Sequence, residues 1–225
     1  MNIINASELT TLHITALIYG TPGMGKTTLL GALRGRTLII DADKGTSVLA
    51  GNDHVDILRL SEDFKEIPEL MKELKASCPY ENVCLDSLSE LERSILTRLA
   101  AKNNTGIPSL QDYGKVNNSL LNICRMLREL PANIFFTAWE QYTEIFSTSG
   151  EKYTRIEPMI RKTNMENVCG LCDVIGRIYV DKDSEERMVW LEGRPNIIAK
   201  DRIHKRSRCG FTELIPALNE KGARE

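Results

Sequence analysis

Apolar and β-branched residues cluster along the chain at 12–19, 37–41, 82–86, 133–139 and 174–180, and most of the intervals between carry apolar residues at helical spacing. Strand and helix in alternation predict an α/β fold with a mostly parallel central sheet flanked by helices. After the third run, Leu88, Leu91, Ile95 and Leu99 share one helical face, and Val116, Leu120, Ile123 and Leu127 share the next. Both stripes are predicted to face the core. Residues 101–114 and most of 142–163 are polar and rich in turn formers, which predicts loops after the third and fourth strands. In an open parallel sheet, ligands bind beyond the carboxyl ends of the strands, so both loops are expected at the functional edge.

The strongest local signal lies between the first strand and the first helix. Gly20-Thr21-Pro22-Gly23-Met24-Gly25-Lys26-Thr27 fits G-x-x-x-x-G-K-[ST], the spacing of a phosphate-binding loop. Its glycines let the backbone curl so that successive N–H groups point at a phosphate, and the dipole of the following helix adds partial positive charge. Thr28 completes the predicted nucleotide-contacting set of residues 20–28. Lys26 is placed to reach the β- and γ-phosphates, and the Thr27 hydroxyl to ligate Mg²⁺. Asp86, which ends the third strand in Asn-Val-Cys-Leu-Asp, is the expected second metal anchor. Ser87 to Glu90 also has capping-box spacing, so the same corner doubles as a helix start. Asp41 and Asp43 end the second strand two residues apart, and on an extended chain either carboxylate suits the orientation of an attacking water.

Composition narrows the picture without redirecting it. The 225 residues carry no linker-like tract, so one domain is expected, with residues 1–11 as a short arm and 206–225 as a C-terminal tail helix. No apolar run approaches membrane-spanning length and no secretory leader is visible, which predicts a cytoplasmic protein. The six cysteines lie mostly in apolar segments and read as small core residues; Cys169-x-x-Cys172 lacks a second ligand turn for zinc. A formal charge of −2 gives no global attraction to nucleic acid, so phosphate binding must come from local clusters.

In their order, the P-loop, the strand ending Asp41-Ala-Asp43, the strand ending Asp86-Ser87 and the two loops resemble the ATPase core of RecA/RadA-type recombinases. The chain is most similar to the short phage-encoded members proposed to act in single-strand annealing and recombination. The resemblance spans residues 12–205. It implies an Mg²⁺-dependent, DNA-stimulated ATPase in which Asp43, standing where such proteins usually carry Glu, activates the water. It also implies ATP held between subunits, with Lys200 and Arg202 reaching across from a neighbour. Single-stranded DNA would be contacted by the second loop through Lys152, Tyr153, Arg155, Arg161 and Lys162, and a single-strand-binding protein is an admissible partner. Glu140 and Gln141 stand where the family keeps a γ-phosphate sensor. Two other readings of the P-loop stand beside this one: a nucleotide-controlled binding module with negligible turnover, and a kinase of a small metabolite, for which no Arg-rich lid is visible.

Overall fold

Strands that are apolar on both faces must be covered on both, and that constraint sets the layering. The computed structural model describes residues 5, 13–147, 150–211 and 213–214. Within it, β1 (Thr15–Gly20) and β2 (Thr37–Asp41) are buried at every position, β3 (Val55–Arg59) is half-exposed, and β4 (Asn82–Asp86) is again buried throughout. Successive side chains feed opposite cores. Leu17, Tyr19, Leu38, Ile40, Val83 and Leu85 face one side, where they meet buried residues of α2 (Glu66–Ala76), α3 (Leu88–Ala100), α4 (Leu110–Arg128) and α5 (Lys162–Leu171). Ala16, Ile18, Ile39 and Cys84 face the other, against Leu29 and Leu30 of α1 (Lys26–Gly31).

The remaining strands are β5 (Asn133–Phe146), β6 (Lys152–Pro158), β7 (Val174–Val180), β8 (Arg187–Trp190), β9 (Lys200–Asp201) and β10 (Arg208–Gly210). Along the sheet the order is β10-β8-β7-β1-β5-β4-β2-β3, with β6 paired to β5 and β9 to β7. From β7 to β3 every neighbouring pair is parallel, whereas β6, β8, β9 and β10 pair antiparallel. The register sets Gly20 opposite Trp139, Asp41 opposite Asp86 and Leu85 opposite Phe136. β2 and β4 therefore end level, β1 ends two residues farther along β5, and all three run out at one edge of the sheet.

Four expectations need correction. Most of 142–163 is not loop: β5 continues to Phe146 and folds back as β6, and α5 starts at Lys162. The period-2 exposure of Tyr142, Glu144 and Phe146 is a ribbon pattern that the many charges masked. The first loop is shorter than 101–114, because Ser109 and Asp112 form a reciprocal capping box that starts α4 at Leu110. The start of the supposed tail helix is instead β10, pairing with β8; most of the rest of 206–225, like the arm 1–11 apart from Asn5, lies outside the described residues. On α3, Leu88 and Leu91 are fully buried, but Ile95 and Leu99 are only half-covered. No helix among the described residues is long and apolar enough to cross a membrane.

At the centre of this packing, Gly176 on β7 faces β1 and β8 with no room for a side chain: a Cβ there would lie 2.7 Å from Val189 Cγ1 and 3.2 Å from Ile18 Cδ1. Stiff β-branched neighbours cannot swing clear, so Gly176→Ala is expected to lower stability by about 1–3 kcal/mol in urea unfolding. An unchanged midpoint would mean that β8 does not seat against β1 and β7 as described.

Candidate functional site

The loop leaving β1 turns on two glycines in the left-handed region, Gly23 with φ 81° and Gly25 with φ 88°, where an L side chain is strained. Gly25 is the N-cap of α1. Thr21, Pro22, Gly23 and Thr28 are exposed, and Met24 is half-buried. Gly20, buried at the strand end, packs so closely that a Cβ would meet the Ile178 carbonyl oxygen at 3.0 Å. Lys26 is nearly buried, and its Nζ donates to the carbonyl oxygens of Gly20 at 2.9 Å and Thr21 at 3.0 Å. Burial lowers its pKa below the ordinary lysine value, while the carboxylates of Asp86, Asp43 and Glu140 oppose that shift. The ammonium thus sits over the loop amid three carboxylates.

Asp86 is the hub of the edge. Its Oδ2 accepts from Thr27 Oγ1 at 2.6 Å, and its Oδ1 accepts from Thr137 Oγ1 on β5. Its backbone oxygen accepts from the amides of Ala42 at 2.7 Å and Asp43 at 3.3 Å. Burial raises the pKa of this carboxyl, the two threonine bonds pull it back, and Asp43 and Asp41 raise it again. The Asp86–Ser87 peptide is cis. Ser87 Oγ accepts from the Glu90 amide at 3.3 Å as the N-cap of α3 and donates to Asp43 Oδ1 at 2.8 Å. Glu90 does not close a capping box; its carboxylate accepts from Ser94.

Asp41 and Asp43 part company, because β2 ends at Asp41 and the alternate-residue geometry ends with it. Asp41 is fully buried, and its carboxylate accepts from Thr46 Oγ1 at 2.6 Å and the Gly45 amide at 3.3 Å, which fixes the turn after the strand. Asp43 remains beside the Lys26–Asp86 cluster.

Glu140 and Gln141 project to opposite sides of β5. Glu140 takes a bidentate pair from Arg177 on β7 at 2.7 and 3.1 Å and accepts from the Tyr142 hydroxyl at 2.7 Å. Gln141 donates to Glu157 at 3.1 Å, a buried carboxylate that also holds Thr143 and Arg155. Arg155 is therefore spent within the ribbon. Lys152 pairs with Glu144 at 2.7 Å in an exposed contact. The register sets Ile145 opposite Tyr153 and Phe146 opposite Lys152, so Tyr153 and Lys152 lie on opposite faces. The exposed rings are Tyr142 and Phe146, at 60% and 70%, on the Lys152 face. Arg161 stacks its guanidinium over the Tyr113 ring at 4.2 Å at the start of α5, beside exposed Lys162.

Lys200 and Arg202 are neighbours, but β9 ends at Asp201, so the two do not share an extended face. Lys200 Nζ donates to the Cys169 carbonyl in the last turn of α5 at 2.7 Å; burial and then Arg202 lower its pKa. Its register partner is Ile175, near the start of β7 and away from this chain's own Gly20. The cysteines are free thiols, with Cys84, Cys124, Cys172 and Cys209 buried.

Sequence reading missed Thr137, Ser87 as the partner of Asp43, Arg177 and Phe211. Only the serine had a local signal, its capping position. Phe211, just past β10, comes within 3.7 Å of where a Gly25 Cβ would stand and so borders the loop. Chemically, curled backbone amides, one buried cation, and a hydroxyl and carboxylate in contact fit a polyphosphate carrying a divalent ion, since Thr27 and Asp86 present the hard oxygens Mg²⁺ prefers.

Comparison with known proteins supplies the family. No curated protein matches the sequence. Among solved structures, a KaiC-like protein of the hyperthermophilic archaeon Pyrococcus horikoshii is similar over 79% of this chain and 77% of its own, with 13% identity and a TM-score of 0.44. A family model described as an AAA domain matches residues 12–203, nearly the whole described chain and every element of the site from the loop to Arg202. The chain belongs to that family and carries the P-loop of an AAA-type ATPase.

Proposed function

We propose that this protein binds and hydrolyses Mg²⁺-ATP and uses the cycle to act on single-stranded DNA in recombination or annealing. The carrying observation is the meeting of Thr27 Oγ1 and Asp86 Oδ2 at 2.6 Å beside Lys26, on a loop that turns on the left-handed Gly23 and Gly25. In the proposed bound state, Lys26 exchanges its contacts with Gly20 and Thr21 for phosphate oxygens, Thr27 and Asp86 hold Mg²⁺, and Asp43 orients water. Bound Mg²⁺ would neutralise charge building on the transferred phosphoryl group. Lys200 and Arg202 serve a neighbouring copy's nucleotide.

The β5–β6 ribbon supports the DNA part of the reading. It projects beyond the strand edge, and on one face it carries Tyr142 and Phe146, two rings for base stacking, with Lys152, which would exchange its exposed partner Glu144 for a phosphate. This face replaces the expected set centred on Tyr153 and Arg155; Arg161 and Lys162 remain at its base.

A second reading, ATP binding with negligible turnover, is favoured by one contact: Ser87 already occupies Asp43 Oδ1 at 2.8 Å, and Asp is one methylene shorter than Glu. ATP retained without phosphate release, on DNA as well as off it, would select that reading.

Mg²⁺-ATP affinity should fall at least tenfold in Lys26→Ala by calorimetry, equivalent to about 1.4 kcal/mol or more. Equal affinity would remove the site from the loop. Replacing Tyr142 and Phe146 together by Ala should weaken oligothymidine binding by about 1–3 kcal/mol per stacked ring, with ATP affinity unchanged and binding of the parent protein falling with salt. Oligothymidine that neither binds nor alters phosphate release would end the DNA reading. Finally, the Glu140 side chain is 1% exposed and Arg177 19%. Arg177→Met alone should cost about 3–5 kcal/mol in chemical unfolding, and adding Glu140→Gln should recover much of it, because the first change strands a buried charge.

A further inference from the structure

On the sheet face opposite α1, the helices do not close completely. Ile67 of α2, Ile95 and Leu99 of α3, and Met126 of α4 floor an open groove of about 520 Å³. The groove exists because the apolar stripe of α3 outruns its cover: Leu88 and Leu91 are sealed, while Ile95 and Leu99 are left half-exposed. Every charged side chain lining it, among the described residues, is a cation: Arg98, Lys102 and Lys115. The chain as a whole holds 31 acidic and 29 basic residues, so an apolar groove lined by cations alone departs from its average surface. Two of these cations touch the protein at their tips, Arg98 at the Asp63 carbonyl and Lys115 at Asp112, 3.5 Å away. The Asp112 carboxylate is already engaged by Ser109 and Asn103, and its side chain is only 4% exposed, so it leaves most of the lysine's charge facing outward.

We infer that this groove docks a short acidic segment of another protein, with apolar side chains entering between α2, α3 and α4 while flanking carboxylates meet Arg98, Lys102 and Lys115. The charge pattern chooses the partner's sign, and the apolar floor supplies the anchor. A volume in the roughly 300–1,000 Å³ range of small-ligand sites holds a few side chains and not the face of a folded domain. Single-stranded nucleic acid suits the groove less well. It needs flat rings for its bases, and the one ring among the described lining residues, Phe64, is itself packed against the core. The groove shares no residue with the P-loop cluster, so this inference stands or falls apart from the ATPase reading.

The test is a display library of random peptides of about twelve residues, selected on the full chain with counter-selection on Lys102→Glu/Lys115→Glu. Lys102 and Lys115 are both exposed, and the thermal melt and Mg²⁺-ATP affinity of the variant verify that it is folded. Enriched peptides should combine several carboxylates with two or three large apolar residues. By fluorescence anisotropy they should bind the variant at least tenfold more weakly, Lys102→Ala/Lys115→Ala to an intermediate degree, and lose affinity as salt rises. No enrichment, enrichment of peptides without acids, or equal binding to the variant overturns the inference. So does either rival occupant: labelled oligothymidine that loses its binding in the variant, or self-association in sedimentation that the variant abolishes with no peptide selected.

Discussion

A carboxylate removed from water must be satisfied where it sits, and the placement of Asp86 is organised around that requirement. It ends a strand buried at every position, and four neighbours meet it: a hydroxyl from α1, a hydroxyl from β5, and two backbone amides following β2 that reach its carbonyl. The four come from three different segments. Satisfying the carboxylate thus ties down the helix that follows the phosphate loop and the neighbouring strand, while the backbone carbonyl of the same residue holds the turn that carries Asp43. The same contacts leave the carboxylate aimed at Thr27, so a structural need and the corner proposed to hold Mg²⁺ coincide in one side chain.

What could be read from the chain followed how local each signal is. The five central strands announce themselves because both their faces are buried, which makes them continuous apolar runs. β3 stayed hidden because it is a half-exposed edge strand, Val-Asp-Ile-Leu-Arg, whose polar positions break the run. β8 and β10 are too short to outweigh the charged residues around them. The β5–β6 ribbon was misread for a different reason. Outside the core its alternation pairs charge with aromatic residues, and Ser147 to Glu151 reads as a loop that draws its flanks in with it.

The site divides in the same way. Gly20 to Thr28 is contiguous, so spacing alone carries the chemistry, and Asp86 is legible as the polar end of an apolar strand. Thr137 is not, because only the register of β4 against β5 brings it beside Asp86. Arg177 becomes the partner of Glu140 only when β7 is known to flank β1. That Asp41 bonds Thr46 in the turn while Asp43 reaches Ser87 likewise depends on where β2 stops, a boundary that one residue decides. Lys200 is the converse case. Its basic stretch is plain in the sequence, but its bond to the last turn of α5 depends on a strand of two residues folding back along β7.

β5 is one uninterrupted strand of 14 residues, of which the first part lies in the core and the last part forms the ribbon. Thr137, which touches Asp86, and Phe146, at the ribbon's tip, belong to the same ladder-stiffened rod, about 30 Å apart at the usual rise per residue. No hinge separates them, and the antiparallel partner β6 doubles the cross-section over the outer half. Such a member has the geometry of a ruler and a lever: its tip stands at a set distance from the Asp86 carboxylate, and a small tilt at the buried end would sweep the free end through a proportionally larger arc.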